Sequence, residues 1–394
     1  MRDLSRWPHA GPTSAGRALA ALTALAAAFT IASCKDKSAE TTTSPSSAGP
    51  AATSGGAPSS AGGPSTAAST AAFDKPRKPD GPISIRIITN NSSSFWTAME
   101  KGMEEGKKEA NCEAQKVVPS GATPTQNDQK AAFEQQVAAN VDGIAVTPID
   151  PDAFAPVIDS AIDKGIPVVT FDSDSAKSKR LAYIGTNNFE AGKKAGEQAV
   201  KLLPNGGKFV AFVGNMSAQN ARDRYNGFLD AVKGHNIEPL QEPFQDKADK
   251  TGAAYRNVQD AITKYGDKIN LLLGIWSYNG PAIIDTVHNQ RMDGKVKIIA
   301  FDGDPKTLDA LAKGTVDAAV VQKPYEFGRL CTKLLALINR KGFKAAMDEM
   351  KPEFDKLGMT VKDNVVDTGV EVITPGPSAT EFLKKLKEKG LETT

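Results

Sequence analysis

The chain has 394 residues, with 48 Lys and Arg against 46 Asp and Glu, three His, three Cys and 40% hydrophobic residues. A charge balance this even offers no excess of cations to neutralise a phosphate backbone, which argues against nucleic acid, and three separated cysteines with three scattered histidines support neither a disulfide scaffold nor a zinc module. At ~100–200 residues per domain the length allows two or three domains, once an N-terminal stretch of poor composition is set aside.

Arg2, Arg6 and Arg17 stand against a single Asp3, and an apolar segment from Ala18 to Ala32 follows. The segment is too short to span a bilayer but has the length of a secretory h-region. It ends in Ile31-Ala32-Ser33-Cys34, which resembles the bacterial lipobox: a branched aliphatic and two small residues before a cysteine that takes a diacylglyceryl group. Residues 1–33 are therefore read as a lipoprotein signal peptide and Cys34 as the site of lipidation. From Lys35 to about Pro79 the chain is Ser, Thr, Ala, Gly and Pro with almost no large apolar residue, so burial cannot offset its ordering entropy. Residues 34–80 are read as the acylated cysteine and a disordered tether. As a flexible coil, ~45 residues reach on the order of 35–40 Å, enough to lift a folded domain off a membrane. No later run is apolar enough to be transmembrane, so the folded part is expected outside the cytoplasm, in the periplasm or at the cell surface, held by the lipid.

After Pro82 short β-branched runs alternate with stretches of helical period, the pattern of parallel sheets covered by helices on both faces. The strands predicted in the first half are Ile83–Thr89, Ala114–Val118, Gly143–Thr147, Pro167–Phe171 and Ala182–Ile184. Helices are predicted between them at Thr97–Ala110, Asp128–Ala139, Ala153–Lys164 and Ala191–Leu203. A second set follows at Lys208–Val213, Ile237–Phe244, Asn270–Ile275, Val296–Ala300 and Ala318–Val321, with helices at Arg222–Lys233 and Gly252–Thr263. The chain thus reads as two α/β lobes of similar plan. A weak repeat supports this, because Val168-Val169-Thr170-Phe171-Asp172-Ser173-Asp174 matches Ile298-Ile299-Ala300-Phe301-Asp302-Gly303-Asp304.

In open parallel sheets ligands bind beyond the carboxyl ends of the strands. The residues there are Asn90 and Asn91, Asp172, Asn215, Trp276 to Asn279, Asp302 and Gln322. Most are polar and only Asp172 and Asp302 are charged, which suits a ligand rich in hydroxyls better than an anion. Helix capping accounts for any one of them but poorly for six strand ends in two lobes. Phe95 and Trp96 are adjacent at a helix start and cannot both face the core of one helix, so at least one is expected in the crevice, stacked on the C–H face of a sugar ring. Trp276 and Tyr278 can do the same from the second lobe. Arg222 and Arg224 lie two apart on a helix and point to different sides, one to the crevice and the other to acidic neighbours such as Asp223.

Catalytic motifs are absent: there is no Gly-x-Gly-x-x-Gly, Walker loop, Gly-x-Ser-x-Gly or His-Glu-x-x-His. His235 and His288 read as surface residues, and Cys112 and Cys331 as buried thiols at opposite helix ends.

From about Gly81 to Thr374 these residues resemble the type I periplasmic binding proteins of the ribose-binding kind, the sugar-capturing subunits of ABC importers. The resemblance implies two doubly wound parallel-sheet lobes joined by a three-stranded hinge, crossing near Gly185-Thr186, Gln322-Lys323 and Val366–Gly369. It divides the chain into an N-terminal lobe of residues 81–185 plus 324–365, a C-terminal lobe of 186–323 plus 366–376, and a helical tail of 377–394. The helix Glu326–Asn339 returns to the first lobe. The implied ligand residues are Asn91, Ser93, Phe95, Trp96, Asp172, Asn220, Arg224, Trp276, Asn279, Asp302 and Gln322, with Tyr278 the alternative to Asn279. Ser173 stands where ribose binders carry arginine, and Asp249 or its neighbours where they place a second-lobe ring, so a sugar other than ribose is implied. The partners implied are a monosaccharide or related polyol and the permease subunits of an ABC transporter; the alternative is a sensor reporting to a membrane receptor or histidine kinase. No cofactor, metal or catalytic residue is expected, and the protein is expected to be a monomer.

Overall fold

The computed structural model describes residues 70–121 and 123–394. The signal segment, Cys34 and most of the tether lie outside the described residues.

Two seven-stranded sheets organise the chain. The first contains β1 (Ser84–Ile88), β2 (Glu113–Val117), β3 (Gly143–Val146), β4 (Val168–Phe171), β5 (Tyr183–Gly185), β12 (Thr360–Lys362) and β13 (Val365–Asp367), in the order β12-β13-β5-β4-β3-β1-β2. Its helices are α1 (Phe95–Ala110), α2 (Gln126–Ala138) and α3 (Pro151–Asp163). The second sheet contains β6 (Gly207–Val213), β7 (Ile237–Pro239), β8 (Phe244–Gln245), β9 (Leu271–Gly274), β10 (Lys297–Phe301), β11 (Ala318–Val321) and β14 (Glu371–Ile373), in the order β14-β11-β10-β9-β6-β7 with β8 also paired to β6. Around it lie α4 (Asn188–Leu202), α5 (Gln219–Val232), α6 (Ala253–Tyr265), α7 (Asn279–Asn289) and α8 (Pro305–Lys313). With β7 and β8 counted as one interrupted strand, the first five strands of each lobe share one order, with the first strand between the second and third. That order creates a switch point beside β1 and β6 where loops diverge and leave a crevice.

Alternation along the strands separates the two faces of the second sheet. Val210, Phe212 and Leu272 pack on one side, and Phe209, Ala211, Leu271 and Leu273 on the other. Helix pairs α1 with α9 (Pro324–Lys341), and α4 with α5, approach backbone to backbone through glycine. A Cβ at Gly192 of α4 would overlap the carbonyl of Arg224 on α5, and one at Gly102 of α1 would overlap the carbonyl of Tyr325 on α9. The same device therefore fixes the helix that carries Arg224 and the helix that begins with Phe95 and Trp96.

Three expectations need correction. The folded body begins before Gly81: Phe73 is 2% exposed, the Phe343 amide donates to its carbonyl at 2.7 Å, and the amides of Arg77 and Lys78 donate to Asn339 O at 2.8 Å. These residues clamp the corner between α9 and α10 (Phe343–Lys356), so the tether ends well before residue 80. The third crossing lies between β13 and β14, within reach of the expected Val366–Gly369, but Val366 itself pairs with Ile184 in the first sheet, so the lobe boundary expected after residue 365 moves past Asp367. The strand expected over Ile237–Phe244 is two short ones, interrupted where Pro239 and Pro243 supply no amide donor.

Helix α10 and the β12-β13 hairpin were not anticipated, while α7 and α8 are separating helices expected of the second lobe without bounds. The helix α11 (Pro377–Glu388) packs Ala379, Phe382 and Leu386 into the second-lobe core. The chain then runs to Thr394, whose hydroxyl accepts from Gly303 N at 2.7 Å, next to Asp302. Cys112 and Cys331 are both buried and free. Among the described residues no helix is long and apolar enough to cross a membrane.

Candidate functional site

The carboxyl ends of both sheets face one cavity between the lobes. The first lobe lines it with Asn90, Asn91, Ser93, Phe95, Trp96 and Asp172. The second contributes Asn220, Arg224, Trp276, Ser277, Tyr278 and Asp302, and Gln322 stands at the crossing into α9.

The equivalent strands β4 and β10 each end in an aspartate in the left-handed region, Asp172 at φ 57° and Asp302 at φ 65°. That conformation is unfavourable for a residue with a Cβ, and it is retained where the surroundings over-determine it, typically at binding sites. The repeated Phe-Asp-x-Asp is thus a repeated backbone turn that aims a carboxylate from each lobe into the cavity.

Asp172 accepts from Thr147 Oγ1 at 3.0 Å and from Asn220 Nδ2 at 3.1 Å. Burial raises its carboxyl to about 6, with Arg224 opposing and Asp302 adding to the rise. Asp302 accepts from Gln322 Nε2 at 3.1 Å and lies 3.9 Å from Arg224 Nη1. Its carboxyl is also raised, burial being the main cause and Arg224 again opposing. Arg224 is held rigidly: Nε donates to Asn188 Oδ1 at 3.0 Å, Nη1 to Ile275 O at 3.0 Å, and the guanidinium lies 4.7 Å over the Phe301 ring. Two carboxylates therefore share one guanidinium, and the centre carries no surplus positive charge for an anion.

The rings form the walls. Trp96 meets Phe95 edge-on at 4.8 Å and Phe171 at 5.7 Å, and its Nε1 donates to Asn91 Oδ1 at 3.1 Å. The Ser93 amide donates to the same Asn91 oxygen at 2.8 Å, so this turn holds the ring. Opposite, Trp276 meets Tyr278 at 6.2 Å and donates from Nε1 to Asn220 Oδ1 at 3.3 Å. Four polar side-chain atoms of the lining are buried without a partner: Asn90 Oδ1, Ser277 Oγ, Arg224 Nη2 and Gln322 Oε1. Buried polar atoms are normally satisfied. This mixture of donors and acceptors around one cavity matches the hydroxyls of a polyol.

The lobes are in contact across the cleft. Besides Asn220 to Asp172, Ser94 Oγ donates to Asp304 Oδ2 at 3.2 Å and Lys250 Nζ to Ser92 O at 2.9 Å.

Of the eleven residues anticipated, ten line the cavity and Asn279 does not. Its Oδ1 accepts from Trp276 N at 3.0 Å and its Nδ2 donates to Asp246 Oδ2 at 3.0 Å, so its side chain is spent inside the turn while Tyr278 and Ser277 face the cavity. The expected pairing of Arg222 with Asp223 is also replaced, because Arg222 donates to the carbonyls of Met216 and Ser217. Asn90 and Ser277 complete the lining; both lie in strand-end stretches that the sequence marks.

Comparison with known proteins agrees with this geometry. The family described as "Periplasmic binding protein domain" matches residues 86–367. Ribose import binding protein RbsB of Bacillus subtilis is 26% identical over 259 residues, covering 65% of this chain and 81% of that protein. An ABC transporter solute-binding protein from Burkholderia graminis, solved in complex with D-arabinose, is 26% identical with a TM-score of 0.63 and covers 74% of this chain and 95% of that one. A chain of the XylFII-LytSN complex is 26% identical with a TM-score of 0.63, covering 75% and 98%.

Proposed function

This chain belongs to the periplasmic binding protein family, among its sugar-binding, ABC-type solute-binding members, which are binding proteins rather than enzymes, and we propose that it captures a monosaccharide or related polyol between two closing lobes. The observation that carries this reading is the pair of left-handed aspartates, one at the same strand end in each lobe, flanked by rings and by polar atoms that lack partners. Acids grip the hydroxyls around the edge of a sugar while Phe95, Trp96 and Trp276 cover its apolar faces. A ligand that touches both lobes stabilises the closed form, because the open form cannot make both sets of contacts. The ligand residues proposed are Asn91, Ser93, Phe95, Trp96, Asp172, Asn220, Arg224, Trp276, Asp302 and Gln322, joined by Asn90, Ser277 and Tyr278.

Delivery to an ABC permease, from a membrane anchor on Cys34, is the physiological role we favour. The relatives that carry the names of ribose import and ABC transporter proteins support it. A second reading, a sensor that presents its bound sugar to a membrane receptor or histidine kinase, is favoured by one observation: a neighbour of equal similarity is solved in the XylFII-LytSN complex.

The test is a thermal-shift screen against pentoses, hexoses, polyols, nucleosides and amino acids, followed by calorimetry on Asp172→Ala and Asp302→Ala. A ligand at ~100 times its dissociation constant adds about 2.7 kcal/mol to folding stability. A sugar hit lost in both variants, with their folds intact, is the expected result. Wild-type affinity in both variants, or hits confined to amino acids, would overturn it.

A further inference from the structure

The second-lobe wall rests on a side chain that does not itself reach the cavity. Asp246 follows β8, is 2% exposed, and is absent from the cavity lining. Its Oδ1 accepts from Tyr278 Oη at 2.7 Å and its Oδ2 from Asn279 Nδ2 at 3.0 Å. Asn279 in turn accepts from the Trp276 amide at 3.0 Å, and the Tyr278 ring stands edge-on to the Trp276 ring. One buried carboxylate thus grips both sides of the turn that presents Trp276, Ser277 and Tyr278.

Two further observations point the same way. Gly214, at the end of β6, lies where any Cβ would overlap the Trp276 ring and come within 2.6 Å of Tyr278 Oη, so the backbone beneath is cleared for this ring pair. Lys247 and Ala248, directly after Asp246, both lie in the left-handed region at φ 54° and 65°. Two consecutive non-glycine residues in that region store strain that a simple connection would not need. The conformation is held by Lys247 N donating to Gly214 O at 2.7 Å and Ala248 N to Asp246 Oδ1 at 2.9 Å. The loop turns the Lys247 side chain to solvent and carries Lys250 across the cleft to Ser92 O. It supplies no ring to the cavity, so Trp276 and Tyr278 are the second lobe's aromatic surface there.

We propose that Asp246 is a positioning residue for the sugar site: through Tyr278 Oη and Asn279 Nδ2 it sets the orientation of the Trp276–Tyr278 wall and thereby how tightly, and which, sugar faces are covered. The inference rests on the reading of this cavity as a sugar site. A bond to a buried carboxylate is a strong one, and losing the fixed wall is expected to weaken binding by about tenfold or more.

The experiment compares Asp246→Ala, Asp246→Asn, Tyr278→Phe and the Asp246→Ala/Tyr278→Phe double variant in the full chain. Binding of D-arabinose and D-ribose is measured by calorimetry, and tryptophan emission and acrylamide quenching are measured without ligand. Asp246→Ala is expected to lose the most affinity. Asp246→Asn, which keeps an acceptor for Tyr278 but sets an amide against that of Asn279, falls between it and the wild type. Tyr278→Phe weakens binding, and the double variant is no weaker than Asp246→Ala alone. Asp249→Ala, which removes the acceptor for the first amides of α6, for Thr251 Oγ1 and for Arg256 Nη2 but touches neither Tyr278 nor Asn279, leaves affinity unchanged. Unaltered affinity and emission in Asp246→Ala, or a fully additive double variant, would overturn the proposal. If the wild type binds neither sugar, affinity is measured for the sugar or polyol that the thermal-shift screen returns; a screen that returns none makes the functional reading fail separately, and the difference in tryptophan quenching between the wild type and Asp246→Ala still decides whether Asp246 holds the wall.

Discussion

Replacing Asn220 by aspartate tests cleft closure directly, because the only change is a charge placed where the lobes meet. Asn220 Nδ2 lies 3.1 Å from Asp172 Oδ2, across the cleft. Two carboxylates at that separation repel by about 5 kcal/mol at an effective dielectric of about 20. The closed form has a cheaper route, which is to take up a proton. With the Asp172 carboxyl already at about 6 in the closed form, protonation at pH 7.5 costs about 2 kcal/mol at about 1.4 kcal/mol per unit. Hydroxyls donated by a sugar to Asp172 favour its charged form and raise that figure, so about 2 kcal/mol, roughly thirtyfold in Kd, is a lower bound. On the proposed mechanism, in which the lobes part without ligand, the penalty applies only when they meet, and the melting of the unliganded protein should change little. Titration calorimetry of the sugar from pH 5.5 to 8.5 should show wild-type-like affinity at the acid end. Above about pH 6 the variant should lose about tenfold per pH unit relative to the wild type. An affinity loss that does not vary with pH, or none at all, would refute the placement of Asn220 against Asp172 in the closed state.

Asp246 gives a second pH signature, in stability. Burial raises its carboxyl to about 6 although Tyr278 and Asn279 pull it down, so the native state binds the extra proton between about pH 4 and 6, and stability falls as pH rises through that window. Asp246→Asn removes the titration, and urea melts should show the variant gaining up to about 3 kcal/mol on the wild type from pH 4 to 7; parallel curves would contradict the burial of that charge. Gly102→Ala drives a methyl into the Tyr325 carbonyl between α1 and α9, and a loss of about 1–3 kcal/mol in denaturant melts is expected. Phe73→Ala should cost about 3–5 kcal/mol and open the segment before Gly81 to proteolysis; wild-type stability would return that segment to the tether.

The parts of the site that were legible in sequence are those set by chain-local rules. A β-branched run followed by Asp places that Asp beyond a parallel strand whatever the rest of the chain does, and the Phe-Asp-x-Asp repeat announced the turn twice. The choice between Tyr278 and Asn279 was not local. It depends on Asp246, thirty-three residues from Asn279, which captures the amide and leaves the ring to the cavity. Phe73 was hidden for a similar reason: it sits among Ala, Thr, Asp and Lys with no periodic partner, and its burial is created by the α9–α10 corner that it clamps. The break in Ile237–Phe244 was readable from Pro239 and Pro243, whose missing donors outweigh the β-branched composition.

The charge arrangement limits what the cavity can hold. Asp172 and Asp302 are both buried and both raised toward protonation, and Arg224 is the largest influence opposing the rise in each. Such a cluster is electrostatically unfinished rather than balanced, and its remaining polar atoms lack partners. Neutral hydroxyls complete it, since each can donate to a carboxylate and accept from Arg224 Nη2 without adding charge. A phosphate or carboxylate ligand would add like charge to two desolvated acids and find one guanidinium whose Nε and Nη1 are already engaged by Asn188 and Ile275. On the proposed reading, selection for an uncharged polyol follows from the same two left-handed turns that present Asp172 and Asp302, and discrimination among such polyols is assigned to the ring walls and to Asp246 beneath one of them.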